Sequence, residues 1–162
     1  MKQSFEQEVK IIPFREDIQH HFKLINFEWI DHYFEIIDHD KMVLENPKEE
    51  IIDKGGFIYF AEYNNEIVGC VALEKIDNLT YELSKMGVRP GYQGKKIGKL
   101  LLLKTIEKAK KIGLKHLILY TNPKLTNAIR LYQKNGFYEV PNDQKLVKRA
   151  TLKMRLNFSN QN

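Results

Sequence analysis

The chain has 162 residues, of which 43% are hydrophobic and 29% charged, and a formal net charge of +5. That length suits one domain with one sizeable core, and no apolar run approaches the ~20 residues that cross a bilayer. A single cysteine, Cys70, excludes an internal disulfide, and the first residues, Met1 to Glu8, form no apolar leader, so the cytoplasm is the expected compartment.

In chain order, Val9 to Phe14 reads as a first strand. Asp17 is placed to cap a helix that carries Ile18, Phe22, Ile25, Trp29 and Phe34 at helical spacing. A short second helix is predicted from about Asp40 to Asn46, stopping before Pro47. Gly56 to Tyr63 and Glu66 to Lys75 read as two strands joined at Asn64-Asn65, residues that tolerate a hairpin's positive φ. Ile67 to Leu73 is apolar at successive positions, as in a strand buried on both faces. Asp77-Asn78 makes the next turn, and Leu79 to Val88 is the third strand of an antiparallel meander.

After Val88 comes Arg89-Pro90-Gly91-Tyr92-Gln93-Gly94-Lys95-Lys96-Ile97-Gly98-Lys99, and then a helical pattern. Its broad apolar stripe is predicted on Ile97, Leu100, Leu101, Lys104, Ile106, Ala109 and Ile112, with lysines opposite and Gly113 as the stop. A Gly- and Lys-rich loop that opens a helix aims backbone N–H groups and the positive end of the helix dipole in one direction, which suits a pyrophosphate. The positive charge is concentrated here, while residues 28–53 are acid-rich. A local basic patch fits a small polyphosphate as well as a nucleic acid. No helix-turn-helix, zinc-ligand or aromatic RNA-binding signature accompanies it, so no nucleic-acid partner is expected.

His116 to Tyr120 reads as a buried strand, Thr126 or Asn127 opens a further helix that Asn135-Gly136 ends, and Phe137 to Val140 with Arg149 to Leu156 form a last strand pair. The order β-α-α-β-β-β-α-β-α-β-β argues for an α+β sheet, mixed and mostly antiparallel.

Two motifs resemble one family. Gln93-Gly94-Lys95-Lys96-Ile97-Gly98 is similar to the acyl-CoA loop of the GCN5-related N-acetyltransferase (GNAT) superfamily, with Lys96 where a glycine or alanine is usual. Downstream, Thr126-Asn127-Ala128-Ile129-Arg130-Leu131-Tyr132-Gln133-Lys134-Asn135-Gly136-Phe137 resembles the family's Ala-x-x-Leu-Tyr-x-x-x-Gly-Phe helix. A backbone N–H of Lys96 can still meet a phosphate if its φ stays negative. The resemblance implies a three-layer α/β/α sandwich whose sheet splays between the fourth and fifth strands. It implies acetyl-CoA as cosubstrate, no metal, and direct acetyl transfer in a ternary complex to the primary amine of a small molecule or a protein. Homodimers are common in the family.

The same resemblance implies cofactor contacts at Met86, Gly87 and Val88, whose strand backbone would pair with the pantetheine arm, and at Gln93, Gly94, Lys95, Lys96, Ile97, Gly98 and Lys99, with Asn122 and Asn127 as further candidates. Gly87 either lets the cofactor approach or marks a β-bulge. Tyr132 is the implied general acid for the leaving thiolate. An amine with a pKa near ~10 must lose a proton, and Glu82 is the candidate base; alternatively it faces solvent or pairs with Lys85. Strict alternation sets Glu82, Ser84 and Met86 on one face and Tyr81, Leu83 and Lys85 on the other.

Other residues carry less. His20, His21, His32 and His39 lack metal-ligand spacing, and Cys70 in an apolar strand reads as a buried structural thiol. Trp29, Tyr33 and Phe34 line an acceptor pocket or pack in the core. Glu28, Asp31, Glu35 and Asp38 attract a cationic amine or form a solvated helix face. Two other readings stand beside the enzyme: a module that holds acyl-CoA without turnover, and a basic nucleic-acid binder.

Overall fold

A computed structural model describes residues 8–33, 37–142 and 151–159. Seven strands form one sheet in the order β1-β2-β3-β4-β5-β7-β6. They are β1 (Lys10–Pro13), β2 (Phe57–Tyr63), β3 (Glu66–Lys75), β4 (Thr80–Val88), β5 (His116–Thr121), β6 (Tyr138–Val140) and β7 (Leu152–Asn157). Every neighbouring pair is antiparallel except β4 and β5. The helices are α1 (His20–Tyr33), α2 (Asp38–Glu45), α3 (Ile97–Lys111) and α4 (Thr126–Lys134).

The sheet separates two apolar layers. On one face α3 packs Ile97, Leu101, Leu102 and Ala109 on Tyr59, Val71, Leu73, Leu83 and Leu117. On the other, Phe22, Ile25 and Ile30 of α1 and Val43 and Leu44 of α2 meet Ile58, Phe60, Cys70 and Ala72. Strand β3 supplies both layers from successive residues, so Ile67 to Leu73 is buried throughout. The predicted α+β sandwich is the one observed.

Local chemistry explains most boundaries. Asn64 and Asn65 take φ of 51° and 62° in the β2–β3 turn, the paired left-handed conformation of a tight hairpin. Asp77 Oδ1 accepts from the backbone N–H of Leu79 and of Thr80, both at 2.8 Å, and holds the next turn. Gly113, with φ of 78°, ends α3.

Several expectations are corrected. Asp17 does not cap α1. It sits in a 3₁₀ turn, Glu16–Ile18, and pairs with Arg15 at 2.9 Å, while α1 begins at His20. Helix α2 starts at Asp38, and a one-turn π-helix at Lys48–Ile52 follows it where no element is predicted. The buried stripe of α3 runs through Ile97, Leu101, Leu102, Thr105, Ile106 and Ala109; Ile112 is exposed and Leu100 only half-buried. A run of four leucines from Leu100 to Leu103 fits two phases of the helical pattern, and the sheet chooses between them. Phe34, Glu35 and Arg149 fall outside the described residues, as do the side chains of Asp31, His32 and Tyr33.

Candidate active site

The site begins where β4 and β5 part. They pair in parallel from Thr80↔His116 to Leu83↔Leu119 and no further. Beyond that point Ser84 to Val88 has no β5 neighbour, while Tyr120 and Thr121 continue β5 alongside Lys153 and Leu152 of β7. Strand backbone without a partner needs a ligand or water to meet its polar groups. A cavity of about 900 Å³ opens in this gap, lined by both strands, the loop before α3 and the face of α4.

The divergence starts at a bulge in β4. Lys85 adopts φ of 54°, and the β3–β4 register slips between Cys70↔Gly87 and Ala72↔Ser84. An extra residue turns later side chains over. Met86 and Val88 therefore join Tyr81 and Leu83 on the α3 side, while Lys85 joins Ser84 on the other, which overturns the strict alternation. Lys85 Nζ donates to Asp40 Oδ1 at 3.1 Å, and Asp40 is fully buried. Its second oxygen accepts from the Ile37 N–H at 3.2 Å, closing the start of α2.

Gly87 is not the bulged residue. An added Cβ would lie 2.7 Å from Cδ1 of Trp29 and 2.9 Å from its Nε1, so the glycine makes room for α1. Trp29 Nε1 donates to Asn26 Oδ1 at 2.9 Å, and Asn26 Nδ2 donates to the Phe22 carbonyl at 2.8 Å and to Cys70 Sγ at 3.3 Å. Trp29 is thus fixed as both core neighbour and cavity wall. Burial pushes the Cys70 thiol up to about 12, which removes it as a nucleophile.

The loop before α3 uses left-handed backbone three times. Gly91 and Gly94 have φ of 90° and 84°, and Lys96, the N-cap residue, has φ of 62°. Lys96 therefore keeps the conformation a glycine would adopt, contrary to the expectation that its φ stays negative. The first-turn N–H groups of α3, at Ile97, Gly98 and Lys99, have no intrahelical acceptor, and all three residues line the cavity. Ile97 offers backbone alone, because its side chain is in the core. Gln93, Gly94 and Lys96 line the cavity too. Lys95 does not; its Nζ stands 5.1 Å over the Tyr63 ring. Tyr92 stacks edge-on to the same ring at 6.0 Å and donates from its hydroxyl to Glu66, bracing the loop from outside.

Across the cavity, Tyr132 of α4 is buried, with its ring 5.8 Å from that of Phe137. Burial holds its phenol well above the usual tyrosine value, so it remains a proton donor at neutral pH. Asn127 is an exposed lining residue. Asn122 also lines the cavity, and its Oδ1 accepts from the Lys124 N–H at 2.9 Å. Lys124, Arg130 and Lys134 add positive charge to this wall and were not singled out from the sequence. Met86 and Val88 line the opposite wall, but Glu82 does not reach it. Glu82 lies directly opposite Glu74 of β3. Burial first, and the charge of Glu74 second, raise its carboxyl to about 7, against the pull of Lys85 and Lys153.

Among the described residues, no group of His, Cys, Asp or Glu could hold a metal ion, and no helix is long and apolar enough to cross a membrane.

Comparison with known proteins gives this geometry a family. Residues 22–137 match the model of the acetyltransferase (GNAT) family. The uncharacterised N-acetyltransferase YvbK of Bacillus subtilis is 34% identical over 102 residues, which cover 61% of this chain and 66%, just under two thirds, of the relative. A GNAT-family acetyltransferase from Staphylococcus aureus Mu50 superposes with a TM-score of 0.82 at 27% identity, covering 93% of this chain and 99% of that one. A GNAT-family acetyltransferase from Elizabethkingia anophelis, solved with acetyl-CoA bound, superposes with a TM-score of 0.61 at 26% identity, covering 93% and 98%. With a family match over residues 22–137 and a sheet that opens where α3 begins, the chain belongs to the acetyltransferase (GNAT) family, a family of acyltransferase enzymes.

Proposed function

We propose that the protein transfers the acetyl group of acetyl-CoA to a primary amine, of a small molecule or a protein, by direct attack in a ternary complex. The observation that carries this reading is the splay: the side of β4 that β5 no longer pairs leads on to the open N–H groups of α3. In this reading the backbone of Met86, Gly87 and Val88 pairs with the pantetheine arm as an added strand would. The loop from Gln93 to Lys99 receives the pyrophosphate, and Lys96 and Lys99 add cations to the backbone donors. Lys95 contributes charge from outside the lining. Asn122 and Asn127 border the arm on the α4 side.

Four tasks remain for the residues at the splay. The acceptor's proton leaves toward the carboxyls of the β4 side, where Glu82, outside the cavity lining, is the candidate base and is reached through an intermediary. A backbone N–H at Val88 or its neighbour stabilises the oxyanion as the amine nitrogen bonds to the carbonyl carbon. Tyr132 gives its phenolic proton to the sulfur as the C–S bond breaks. Trp29, next to Gly87, walls the acceptor side.

The first measurement is thermal shift with acetyl-CoA, with desulfo-CoA and ATP as controls. A rise in Tm with acetyl-CoA and little with ATP is expected. Coupled assays of CoA release with spermidine, L-lysine and a peptide bearing a free N-terminus then look for the acceptor. No shift at millimolar acetyl-CoA would overturn the reading.

A further inference from the structure

Glu82 stands outside the cavity lining, whereas Ser84, two residues along β4, is part of it. Ser84 Oγ donates to Glu74 Oε2 at 2.5 Å. Glu74 lies directly across the ladder from Glu82, at a position where opposed Cβ atoms are ~5 Å apart. The two carboxyl groups therefore sit side by side across the ladder, and of the three residues Ser84 alone lines the cavity.

Other charges around the pair are accounted for. Lys85 of β4 and Lys153 of β7 act on Glu82 from either side. Lys85 is itself engaged by Asp40 of α2 at 3.1 Å, which blunts its hold on the strand carboxylates.

Resting on the acetyl-transfer reading, we propose that Ser84 is the catalytic proton port of the site and Glu74 its positioning partner, with Glu82 behind them. The acceptor ammonium loses an N–H proton to Ser84 Oγ as the Ser84 O–H proton passes to Glu74. The products are a neutral amine, a protonated Glu74 and an unchanged serine. Glu82, opposite Glu74 in the ladder, keeps a second carboxyl beside the one that receives the proton.

The test uses the full chain, first confirming by thermal shift that each variant binds acetyl-CoA as the wild type does. Turnover is then followed against pH with the amine of the panel that reacts fastest, and with hydroxylamine, which is already neutral at pH 7. Ser84→Ala and Glu74→Gln should each lower kcat/KM for the alkylamine about tenfold or more at pH 7. Activity should recover as pH rises toward the acceptor's own pKa, near ~10. Turnover of hydroxylamine should stay near wild type, and Ser84→Thr, which keeps the hydroxyl, should keep the wild-type profile. A Ser84→Ala enzyme with the wild-type pH profile, or an equal loss with both nucleophiles, overturns the proton port alone. Failure of the wild-type chain to bind acetyl-CoA overturns the acetyl-transfer reading, and this proposal with it.

Discussion

At the residue scale, two side chains define how far local chemistry reaches. Lys96 holds a left-handed backbone at the N-cap of α3, where an L-residue bears ~1–2 kcal/mol of strain that glycine avoids. Part of that gain is offset by the extra freedom glycine gives the unfolded chain. Lys96→Gly should therefore raise the unfolding free energy in urea by ~0.5–1 kcal/mol; a decrease would show that the lysine side chain stabilises the loop by more than its backbone strains it. Tyr132 is buried, lines the cavity and stays protonated. Tyr132→Phe removes one hydroxyl and leaves the ring on Phe137, so kcat should fall about tenfold or more while calorimetry shows unchanged acetyl-CoA affinity. Wild-type kcat in this variant would remove the phenol from the mechanism.

At the scale of elements, the bulge at Lys85 decides which side chains face the acceptor, and Gly87 decides how close α1 comes. Gly87→Ala forces a methyl group to within 2.7 Å of the Trp29 ring. Overpacking of that kind costs ~1–3 kcal/mol, so chemical denaturation should show a loss of this size, and Trp29→Leu in the same chain should recover part of it. A neutral effect would mean that α1 shifts freely over the sheet. These features also separate what the sequence reveals from what it hides. The Asn64-Asn65 turn, the Gly91 and Gly94 loop and the Gly113 stop are legible because each follows from a few adjacent residues. The Leu-Tyr helix is legible because its pattern persists across α4. A bulge in β4 is legible as one of two readings of Gly87, but its seat at Lys85 is hidden, because a lysine in left-handed backbone carries no local signature. The Lys85–Asp40 and Ser84–Glu74 pairs are hidden for another reason: residues 45 and 10 positions apart meet only once helix packing and strand register are set.

At the scale of the whole molecule, Glu82 ties stability to pH. Its carboxyl holds a proton up to about 7 in the fold, against an ordinary value of 4.5. The folded state thus binds the proton more tightly than the unfolded state does. The stabilisation is complete below the ordinary value and is lost as pH rises through about 7. Glu82→Gln, which cannot ionise, should match the wild type near pH 4 and exceed it in Tm at pH 8, by on the order of 1–3 kcal/mol in stability. A constant difference across that range would show that Glu82 ionises without penalty. The parting of β4 and β5 has a consequence of another kind. A sheet ordinarily has two borders, and here both are blunted: β1 is four residues long and ends in Pro13, and β6 has only three residues. The splay adds another border inside the molecule, along the side of Ser84 to Val88 that no β5 residue pairs. Neither proline nor short length blunts this edge; Lys96, Lys99 and Lys124 line the cavity beside it and give it positive charge. The edge proposed to receive the cosubstrate is thus also where a stray strand from a misfolded neighbour would most readily add.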